Sequence, residues 1–440
     1  MTSNEANGVQ KLPKSAEVVI VGGGIIGVTA SLSLAERGIP VVLVEKGVVA
    51  GEQSSRNWGW CRQQGRDPRE LPLMIESLRA WKGMSHRIGI DTGFNQSGVV
   101  YLARTISEME AHDAWLENAR RYEIDSQLIS GRELDSLLPG SSDAYIGALF
   151  TKSDGRAEPA IAVPAMARKA RQLGAIIVEN TAARGVETHG GSVSSIVTER
   201  GVISCNSVLL AGGIWSRLFC RPLGIDLPQL KILSSVLRTH PIKGCPEVST
   251  SGHGFSFRKR LDGGYTIAHG STINYEIVPD SFRFFQQFFK LAWQARRELR
   301  PRLSRRFVVE WELPRSWALD RPGPFEQIRI MDPTPMLSEL NQAMQNLVST
   351  YPSFRDAQIA AKWAGYIDVV PDAVPIISPV SSPSGLYLAT GFSGHGFGIG
   401  PGAGELAVDL ITGSSPRVDP QPFVISRFFD RSGVGPVAGI

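Results

Sequence analysis

Three glycines near the start of the chain have the spacing of a phosphate-binding turn. Gly22, Gly24 and Gly27 form the pattern GxGxxG directly after the β-branched run of residues 18–21. In such a turn the first glycine allows the tight bend, the second lets a pyrophosphate approach the backbone, and the third lets the following helix pack on the strand. Amide groups at the helix N-terminus then bind the phosphates. The pattern predicts a dinucleotide site at this turn.

An acidic residue ends the next apolar run and strengthens this interpretation. Residues 41–44 predict a second strand, and Glu45 stands 18 residues after Gly27. The acid that holds a ribose is expected at about 20 residues. A carboxylate there accepts hydrogen bonds from ribose hydroxyls and repels a 2′-phosphate, which disfavours NADP. The alternative is a glycine-rich turn in an ordinary βαβ unit, but the combined strand, glycines, helix, strand and acid favour the dinucleotide.

Two later stretches indicate which dinucleotide is bound. Residues 207–216, SVLLAGGIWS, resemble the strand and turn with which flavoproteins return to the dinucleotide domain. Residues 391–410 join a glycine-rich loop to an amphipathic helix, which predicts a second helix N-terminus directed at a ligand. A merely flexible loop is the alternative for this second stretch.

Taken together, these stretches resemble the D-amino acid oxidase family of FAD-dependent amine oxidoreductases, which includes sarcosine oxidase, glycine oxidase and D-amino acid dehydrogenases. The resemblance covers nearly the whole chain and rests on residues 22–27, 45, 54–56, 154–159, 210–216, 371–375 and 391–404. It implies an α/β fold with an α+β cap: a Rossmann-like FAD-binding domain assembled from discontinuous segments, and a substrate domain built on an antiparallel sheet.

The resemblance also implies an activity. It is the oxidation of the C–N bond of an amino acid or N-substituted amino acid by hydride transfer to flavin, followed by hydrolysis of the imine. An alternative is a flavoprotein subunit of a hetero-oligomeric or membrane-associated dehydrogenase that passes electrons to a partner or quinone. A flavin-bearing assembly module without turnover is a third hypothesis. The oligomeric state is not predicted.

Domain boundaries follow from the same resemblance and from local patterns. The FAD-binding domain is expected at 15–95, 155–230 and 360–440, and the substrate domain at 96–154 and 231–359. Within them, the patterns predict strands at 99–103 and 265–268, helices at 107–122 and 280–299, a hairpin over 185–204 and a loop over 314–335.

The resemblance implies a set of cofactor contacts. These residues are Gly22, Gly24, Ile25, Ile26, Gly27, Glu45, Lys46, Ser54, Ser55, Arg56, Ala211, Gly212, Trp215, Gly394, His395, Gly396, Phe397 and Gly398. Gly365 stands where the sarcosine branch has the cysteine that binds flavin covalently, so non-covalent FAD is expected. Gly398 stands where sarcosine oxidase has a substrate-binding lysine.

Four positions are candidates for the chemistry. Arg62 matches the arginine that grips the substrate carboxylate in sarcosine oxidase, and an interdomain ion pair is its alternative role. His395 is a candidate general base, and Tyr366 a candidate pocket residue. Lys259, or Arg258 beside it, replaces the lysine that promotes the oxygen reaction, although strand alternation lets only one of the two point inward. If neither reaches the flavin, a dehydrogenase is expected.

Asp368 departs from the family pattern, because relatives often carry an arginine in this region. A buried acid near the substrate would suit a substrate with extra positive charge. A solvated or helix-capping role is the favoured alternative for this carboxylate.

Composition sets broad limits on partners. The 440 residues carry a net charge of +4, which is too small to indicate nucleic acid. Four cysteines without CxxC spacing argue against a metal site and favour free thiols. The polar N-terminus and the absence of long apolar runs favour a cytoplasmic protein.

One stretch leaves peripheral attachment to the inner face of the membrane open. Residues 281–306 are the most basic in the chain, and phenylalanines at 282, 285, 288 and 289 recur at helical spacing. A basic amphipathic helix can lie on an anionic membrane, which would suit electron transfer to quinone. The favoured alternative is a cap-domain helix with a solvated basic end.

Overall fold

The computed structural model describes residues 11–142 and 145–430. Its strands are β1 Val18–Val21, β2 Val41–Val44, β3 Trp60–Cys61, β4 Val99–Ala103, β5 Ser126–Ile129, β6 Gly147–Thr151, β7 Gly155–Arg156, β8 Ile176–Val178, β9 Ala183–His189, β10 Ser192–Thr198, β11 Gly201–Ser204, β12 Ser207–Leu210, β13 Leu230–Thr239, β14 Ser249–Gly252, β15 Phe255–Lys259, β16 Tyr265–Ala268, β17 Ile273–Ile277, β18 Leu299–Leu303, β19 Ile359–Val369, β20 Ile376–Pro379 and β21 Leu386–Thr390. Its helices are α1 Ile25–Glu36, α2 Gln53–Arg56, α3 Leu71–Ile88, α4 Ile106–Arg121, α5 Gly131–Leu137, α6 Pro159–Gln172, α7 Ser216–Cys220, α8 Pro279–Arg283, α9 Phe285–Gln294, α10 Arg306–Glu312, α11 Pro324–Gln327, α12 Leu337–Thr350 and α13 Gly396–Thr412.

A six-stranded sheet carries the dinucleotide motif. Its strand order is β20-β21-β12-β1-β2-β8, and every pair is parallel except β20 with β21. The continuous apolar runs of β1 and β2 suit such a sheet, since helices cover its faces. Helix α1 packs against α6 and α13. Because parallel strands end at the same edge, the segments after β1, β2 and β12 lie together.

A larger, mainly antiparallel sheet forms the second part of the fold. Its order is β18-β17-β13-β16-β15-β14-β4-β6-β5, and β19 pairs with β13. The pairs β14 with β4 and β17 with β18 are parallel. Helix α12 packs Leu340 and Leu347 onto a core that includes Phe255, Phe257 and Tyr265. The α/β fold class with an antiparallel second sheet is confirmed.

Local expectations and structure agree at several elements. Strands β4 and β16 have the predicted bounds, and α4 covers the predicted helix within one residue. The stretch 185–204, predicted as a hairpin, forms three strands in the order β11-β10-β9. The predicted loop over 314–335 contains the short helix α11.

Residues 280–299 differ from the single predicted helix. Helix α8 ends at Arg283, and Phe284, with a φ of −101° and a ψ of 17°, interrupts the helical backbone before α9 begins. Leu299 then opens β18, because it pairs with Ile273 at the edge of the larger sheet. An edge pairing of this kind overrides a local helical pattern.

The division into two domains stays a prediction, although the strands largely follow it. Strand β19 is the exception: it pairs with β13 in the larger sheet, whereas residues from 360 onward were expected with the FAD-binding segments. Within residues 11–142 and 145–430, no helix combines the length and the apolar character needed to cross a bilayer.

Candidate functional site

A cavity lies where the ends of the two sheets meet. From the six-stranded sheet it is lined by the glycine turn after β1, by Glu45 and by the segment after β12; from the larger sheet it is lined by β13 and β19. Most of the sequence-predicted cofactor residues reach it; they are Gly22, Gly24, Ile25, Ile26, Glu45, Lys46, Ser54, Arg56, Ala211, Gly212, Trp215, Gly394, His395, Gly396, Phe397 and Gly398. Gly27 and Ser55 are not among the lining residues.

At two glycines of the turn, Gly22 and Gly27, a side chain would collide with backbone atoms. Gly22 has a φ of +112°, and a Cβ there would stand 2.4 Å from the carbonyl oxygen of Ala211. A Cβ on Gly27 would stand 2.0 Å from the carbonyl oxygen of Gly22, so this glycine lets α1 pack on the turn. Gly24 is different, because its nearest neighbour would be the Ser54 hydroxyl at 3.1 Å. That hydroxyl accepts a hydrogen bond from the Ile25 amide at 2.8 Å.

Glu45 is fixed at the edge of the turn. Its Oε2 accepts a hydrogen bond from the Gly23 amide at 2.6 Å, and its Oε1 accepts one from Gly47 at 2.7 Å. Burial raises the pKa of this carboxyl, while the two amide donors lower it. These bonds hold the carboxylate in the position where a ribose is expected.

Lys46 and Trp215 form a pair on the cavity wall. The Lys46 ammonium lies 4.0 Å from the ring centroid of Trp215 and donates to the carbonyls of Ile328 and Arg329 at 2.8 and 2.7 Å. The Trp215 indole donates to Glu52 at 3.0 Å. This aromatic face is therefore held rigidly beside the turn.

Arg56 ties α2 to the larger sheet. Its Nη1 donates to the carbonyls of Met331 and Ala364, both at 2.9 Å, and pairs with Asp332 at 3.0 Å. A Cβ on Gly365 would stand 3.2 Å from Arg56 Cδ, so the glycine makes room for this arginine.

A second helix N-terminus reaches the same cavity. Helix α13 starts at Gly396, its N-cap residue His395 forms no side-chain cap, and residues 394–398 line the cavity. The amide dipoles of α1 and α13 therefore favour negative charge in the space between them. Gly398 serves packing, since a Cβ there would stand 2.9 Å from the Trp60 carbonyl.

A buried cluster of charged side chains lies beside this helix end. Arg62 and Arg66 both line the cavity, and the Arg62 guanidinium lies 5.4 Å from the ring centroid of Tyr101. Arg66 is 3% exposed, and its Nε donates to the Arg62 carbonyl at 3.3 Å. Its Nη1 is buried and has no hydrogen-bond partner among the described residues. Burial lowers the pKa of Arg66 to about 9, which leaves it protonated at neutral pH.

Sequence reasoning named Arg62 and missed Arg66. The sequence signal that could have identified Arg66 is the four-residue spacing of Arg62, Arg66 and Glu70, which brings long polar side chains close together in a compact segment. Arg62 itself donates to the Gln64 carbonyl, whereas Nη1 of Arg66 has no acceptor in the part of the chain that the structure describes.

His395 and Glu70 form the other half of the cluster. The imidazole Nδ1 lies 3.2 Å from Glu70 Oε2, and Glu70 is fully buried. Burial raises the pKa of Glu70 to about 7. Burial, with Arg66 and Arg62 nearby, holds the pKa of His395 well below its usual range. The imidazole is therefore neutral at pH 7.

Tyr366 lines the cavity as part of a polar network. Its hydroxyl donates to Glu276 Oε2 at 2.6 Å, and burial raises its pKa to about 12. The Arg306 guanidinium lies 4.4 Å from the Tyr366 ring centroid and pairs with Glu276 at 3.3 Å.

The structure does not bring Lys259 to the cavity. Its ammonium pairs with Glu247 at the surface, while its neighbour Arg258 points inward and is 1% exposed. The Arg258 guanidinium donates to both carboxylate oxygens of Glu158, at 2.7 and 3.0 Å, and is not among the lining residues. Alternation along the strand therefore places only one of the two side chains, that of Arg258, inward, as expected. Its charge is paired with the carboxylate of Glu158.

Asp368 is buried and holds a loop. Its Oδ2 accepts hydrogen bonds from the Gly391 amide at 2.7 Å and the Gln229 amide at 3.1 Å. This carboxylate is neither solvated nor a helix cap, which corrects the favoured expectation.

Comparisons with known proteins agree with this geometry. The sequence model of a family described as FAD dependent oxidoreductase matches residues 17–410. The solved L-amino acid deaminase of Proteus myxofaciens, in complex with anthranilate, is 35% identical with a TM-score of 0.92, over 95% of this chain and 94% of that chain. The corresponding enzyme of Proteus vulgaris is 32% identical with a TM-score of 0.92, over 96% and 99%.

Curated relatives are more distant. The sarcosine oxidase subunit beta of Arthrobacter sp is 25% identical over 97% of this chain and 95% of its own length. The mitochondrial sarcosine dehydrogenase of Mus musculus is 23% identical over 95% of this chain but only 42% of its own length. The chain therefore spans less than half the length of the mitochondrial sarcosine dehydrogenases of Mus musculus and Homo sapiens.

Proposed function

The chain belongs to the family of FAD-dependent oxidoreductases, and from this premise we propose that it oxidises the C–N bond of an amino acid or N-substituted amino acid. FAD, when bound, supplies the acceptor for the hydride removed from the carbon next to the amine. The imine product then reacts with water. The relatives named as amino acid deaminases and sarcosine-oxidising proteins support this substrate class.

The unpaired Nη1 of Arg66 is the observation that carries the proposal. A buried donor that lacks a hydrogen-bond partner costs free energy, so a ligand that supplies an anion to this donor gains from it. A carboxylate accepts two hydrogen bonds from one guanidinium, and Arg62 lines the same wall. We therefore assign the substrate carboxylate to Arg66, with Arg62 beside it.

His395 is proposed as the proton acceptor. Hydride removal requires a neutral amine, and an amino acid arrives with a protonated one. The neutral imidazole faces Glu70 with Nδ1, which leaves Nε2 as the acceptor of the ammonium proton. The substrate carboxylate would offset the charges of Arg66 and Arg62, which lower the pKa of this imidazole in the empty site. Glu70 stabilises the charge that the imidazole then carries.

The cofactor site is assigned to the two helix N-termini. Backbone amides at the start of α1 and α13 would hold the negatively charged parts of FAD, and Glu45 would hold the ribose. None of the four cysteines is among the lining residues of the cavity, which supports non-covalent binding.

A second candidate concerns the acceptor of the electrons. Resemblance to sarcosine oxidase assigns the oxygen reaction to a lysine, and here the charges of Arg258 and Lys259 are paired with Glu158 and Glu247. We propose that a carrier, a quinone or a partner subunit accepts the electrons rather than oxygen. Relatives named D-amino acid dehydrogenase and sarcosine dehydrogenase favour this candidate.

The test is the visible spectrum of the purified chain with FAD, recorded without air as amines are added. The panel pairs D- and L-amino acids and N-methyl amino acids with their carboxamides. Bleaching by carboxylates and not by carboxamides is expected. Bleaching by both alike would refute the role of Arg66, and bleaching by no amine would refute the reaction. Admission of air then tests the acceptor: a flavin that stays bleached supports a carrier, and rapid recovery of colour contradicts it.

A further inference from the structure

Helices α8, α9 and α10 expose an unusual density of apolar side chains. Eight of the twenty large apolar side chains that are exposed in the described residues lie between 282 and 311. We call this set the aromatic surface; its members are Phe282, Phe285, Phe289, Trp293, Leu303, Val308, Val309 and Trp311. A soluble surface normally scatters such residues singly, and a contiguous group marks an interaction site.

Helix α9 is apolar on two opposite faces. Phe288 and Leu291 point inward and join a core cluster with Phe284. Phe285, Phe289 and Trp293 recur every four residues on the outer face, and they are 61%, 53% and 60% exposed. The inner face explains how the helix is held on the fold. The outer stripe has no packing role in the described residues.

The exposed rings form two rows of contacts, and the half-buried Phe307 links the exposed rings of the second row. Along α9, Phe289 lies 5.9 Å from Phe285 and 6.3 Å from Trp293 between ring centroids. A second row joins α8 to α10, where Phe307 lies 6.5 Å from Phe282 and 6.1 Å from Trp311. The rings of the aromatic surface therefore lie in two rows, one along α9 and one that joins α8 to α10.

Basic side chains surround this surface. Between residues 281 and 305 the exposed cations are Arg283, Lys290, Arg296, Arg297, Arg300, Arg302 and Arg305, and Glu298 is the exposed acid. Aromatic residues on one face with Lys and Arg beside them are typical of helices that lie in a lipid interface. A second copy of the chain would bring two sets of like charges together, which disfavours self-association through this face.

The aromatic surface is connected to the cavity wall. Strand β18, which carries Leu303, pairs with β17, and Ile273 of β17 lines the cavity. Helix α10 turns Val308 and Val309 outward, while Glu310 accepts a hydrogen bond at 2.9 Å from the half-buried Lys231. The outer surface and the cavity therefore share the same supporting elements.

We propose that the aromatic surface docks the protein on an anionic lipid bilayer. The aromatic rings enter the interface, and the surrounding arginines bind acidic headgroups. Docking in this orientation holds the cavity close to the bilayer. The further consequence, that a lipid-soluble acceptor collects the electrons, rests on the proposed function, whereas docking itself does not.

The experiment is cosedimentation of the FAD-loaded full chain with vesicles. Vesicles of phosphatidylglycerol and phosphatidylcholine are compared with vesicles of phosphatidylcholine alone, at about 0.05 M and about 0.5 M salt, because salt screens surface charges. We expect binding to the anionic vesicles that weakens at the higher salt. A variant with Phe285→Ser, Phe289→Ser and Trp293→Ser should bind at least about tenfold more weakly, since it loses most of its apolar insertion.

A matched control replaces exposed apolar residues elsewhere. The double variant Ile106→Ser and Leu261→Ser removes side chains that are 73% and 62% exposed but lie outside the aromatic surface, and its binding should equal that of the unmodified chain. Flavin absorbance and the thermal unfolding curve confirm that each variant is folded. A folded chain that does not cosediment with anionic vesicles overturns the proposal. So does sedimentation showing an oligomer that the triple variant cannot form, because the surface then binds a second copy. Either result leaves the oxidation reaction untouched, since flavin bleaching measures that separately.

Discussion

The Nδ1 atom of His395 lies 3.2 Å from Oε2 of Glu70, and both side chains are buried beside the cavity. Burial drives their pKa values in opposite directions, upward for the carboxyl and downward for the imidazole. Arg66, Arg62 and the neighbouring Asp67 and Arg69 act on the same pair through their charges. The imidazole is therefore neutral near pH 7, whereas the carboxyl titrates close to that pH.

This relationship predicts how stability depends on pH. The pKa of Glu70 rises from 4.5 to about 7, so between these values the folded state binds a proton that the unfolded state has released. Its contribution to the free energy of unfolding is present below pH 4.5 and is lost as pH rises through 7, by about 3 kcal/mol in all. The lowered pKa of His395 gives the opposite slope below about pH 6.5, so the two partly cancel in the unmodified chain.

Glu70→Gln isolates the carboxyl, because the amide resembles its protonated form. Chemical unfolding should show equal stabilities near pH 4.5 and a variant that is more stable, by up to about 3 kcal/mol, at pH 8. Glu117→Gln is the control, since the Glu117 side chain is 75% exposed. A difference between Glu70→Gln and the unmodified chain that stays constant with pH would show that Glu70 is ionised throughout.

A second prediction concerns the carboxylate contact of Arg66. Arg66→Gln should weaken the binding of amino acid carboxylates by about 10 to 100-fold, the value of a hydrogen bond to a charged group. Binding of the matching carboxamides should change little. The measurement is the perturbation of flavin absorbance by non-reacting carboxylates and their amides. Arg79→Gln, at a side chain that is 69% exposed, is the control. Equal weakening for both ligand classes would indicate a collapsed cavity rather than a lost charge.

The parts of the fold that the sequence predicts are those decided by local chemistry. The turn from β1 to α1 needs glycine at Gly22 and Gly27 because a Cβ would strike backbone atoms, and such a need appears directly as residue type and spacing. Strand β16 is likewise a compact apolar run with the predicted bounds. These elements require no knowledge of distant residues.

The parts that sequence reasoning missed depend on distant partners. Leu299 leaves the helical pattern because Ile273 offers an edge, 26 residues away in the chain. Arg66 differs from Arg62 only in which acceptors lie near each guanidinium, and those acceptors come from the three-dimensional arrangement. The position of Lys259 could be limited by strand alternation, but its pairing with Glu247 could not be predicted.

Substitution of two glycines in the turn should change two different properties. Gly27→Ala should lower stability, and Gly24→Ala should lower the affinity for FAD. Gly27→Ala places a Cβ 2.0 Å from the Gly22 carbonyl, so the free energy of unfolding should fall by about 1–3 kcal/mol or more, even without FAD. Gly24→Ala meets only the Ser54 hydroxyl at 3.1 Å and has a φ of −72° that alanine accepts. Its stability without FAD should change by less than about 1 kcal/mol.

Affinity for FAD then distinguishes the two roles. In Gly24→Ala the added methyl group stands beside the cavity, so FAD should bind more weakly although the protein is folded. Chemical unfolding without FAD and a fluorescence titration with FAD give the two quantities. If Gly24→Ala binds FAD as the unmodified chain does, the backbone at this position does not approach the pyrophosphate.

Arg258 and Lys259 are neighbours on β15 with opposite environments, and their variants should differ accordingly. Arg258→Met removes both hydrogen bonds of the guanidinium to Glu158, which is 4% exposed and keeps the Leu261 amide as a donor, so the free energy of unfolding should fall by about 3–5 kcal/mol. Lys259→Met removes only a pair with Glu247, whose side chain is 68% exposed, and should cost less than about 1 kcal/mol. Stopped-flow reoxidation of the reduced flavin adds a second readout. Since the Lys259 ammonium lies outside the cavity, the rate with oxygen should be the same in Lys259→Met as in the unmodified chain. A slower rate in that variant would mean that the lysine leaves Glu247 and reaches the flavin during turnover, and the proposal of a carrier as acceptor would then lose its support.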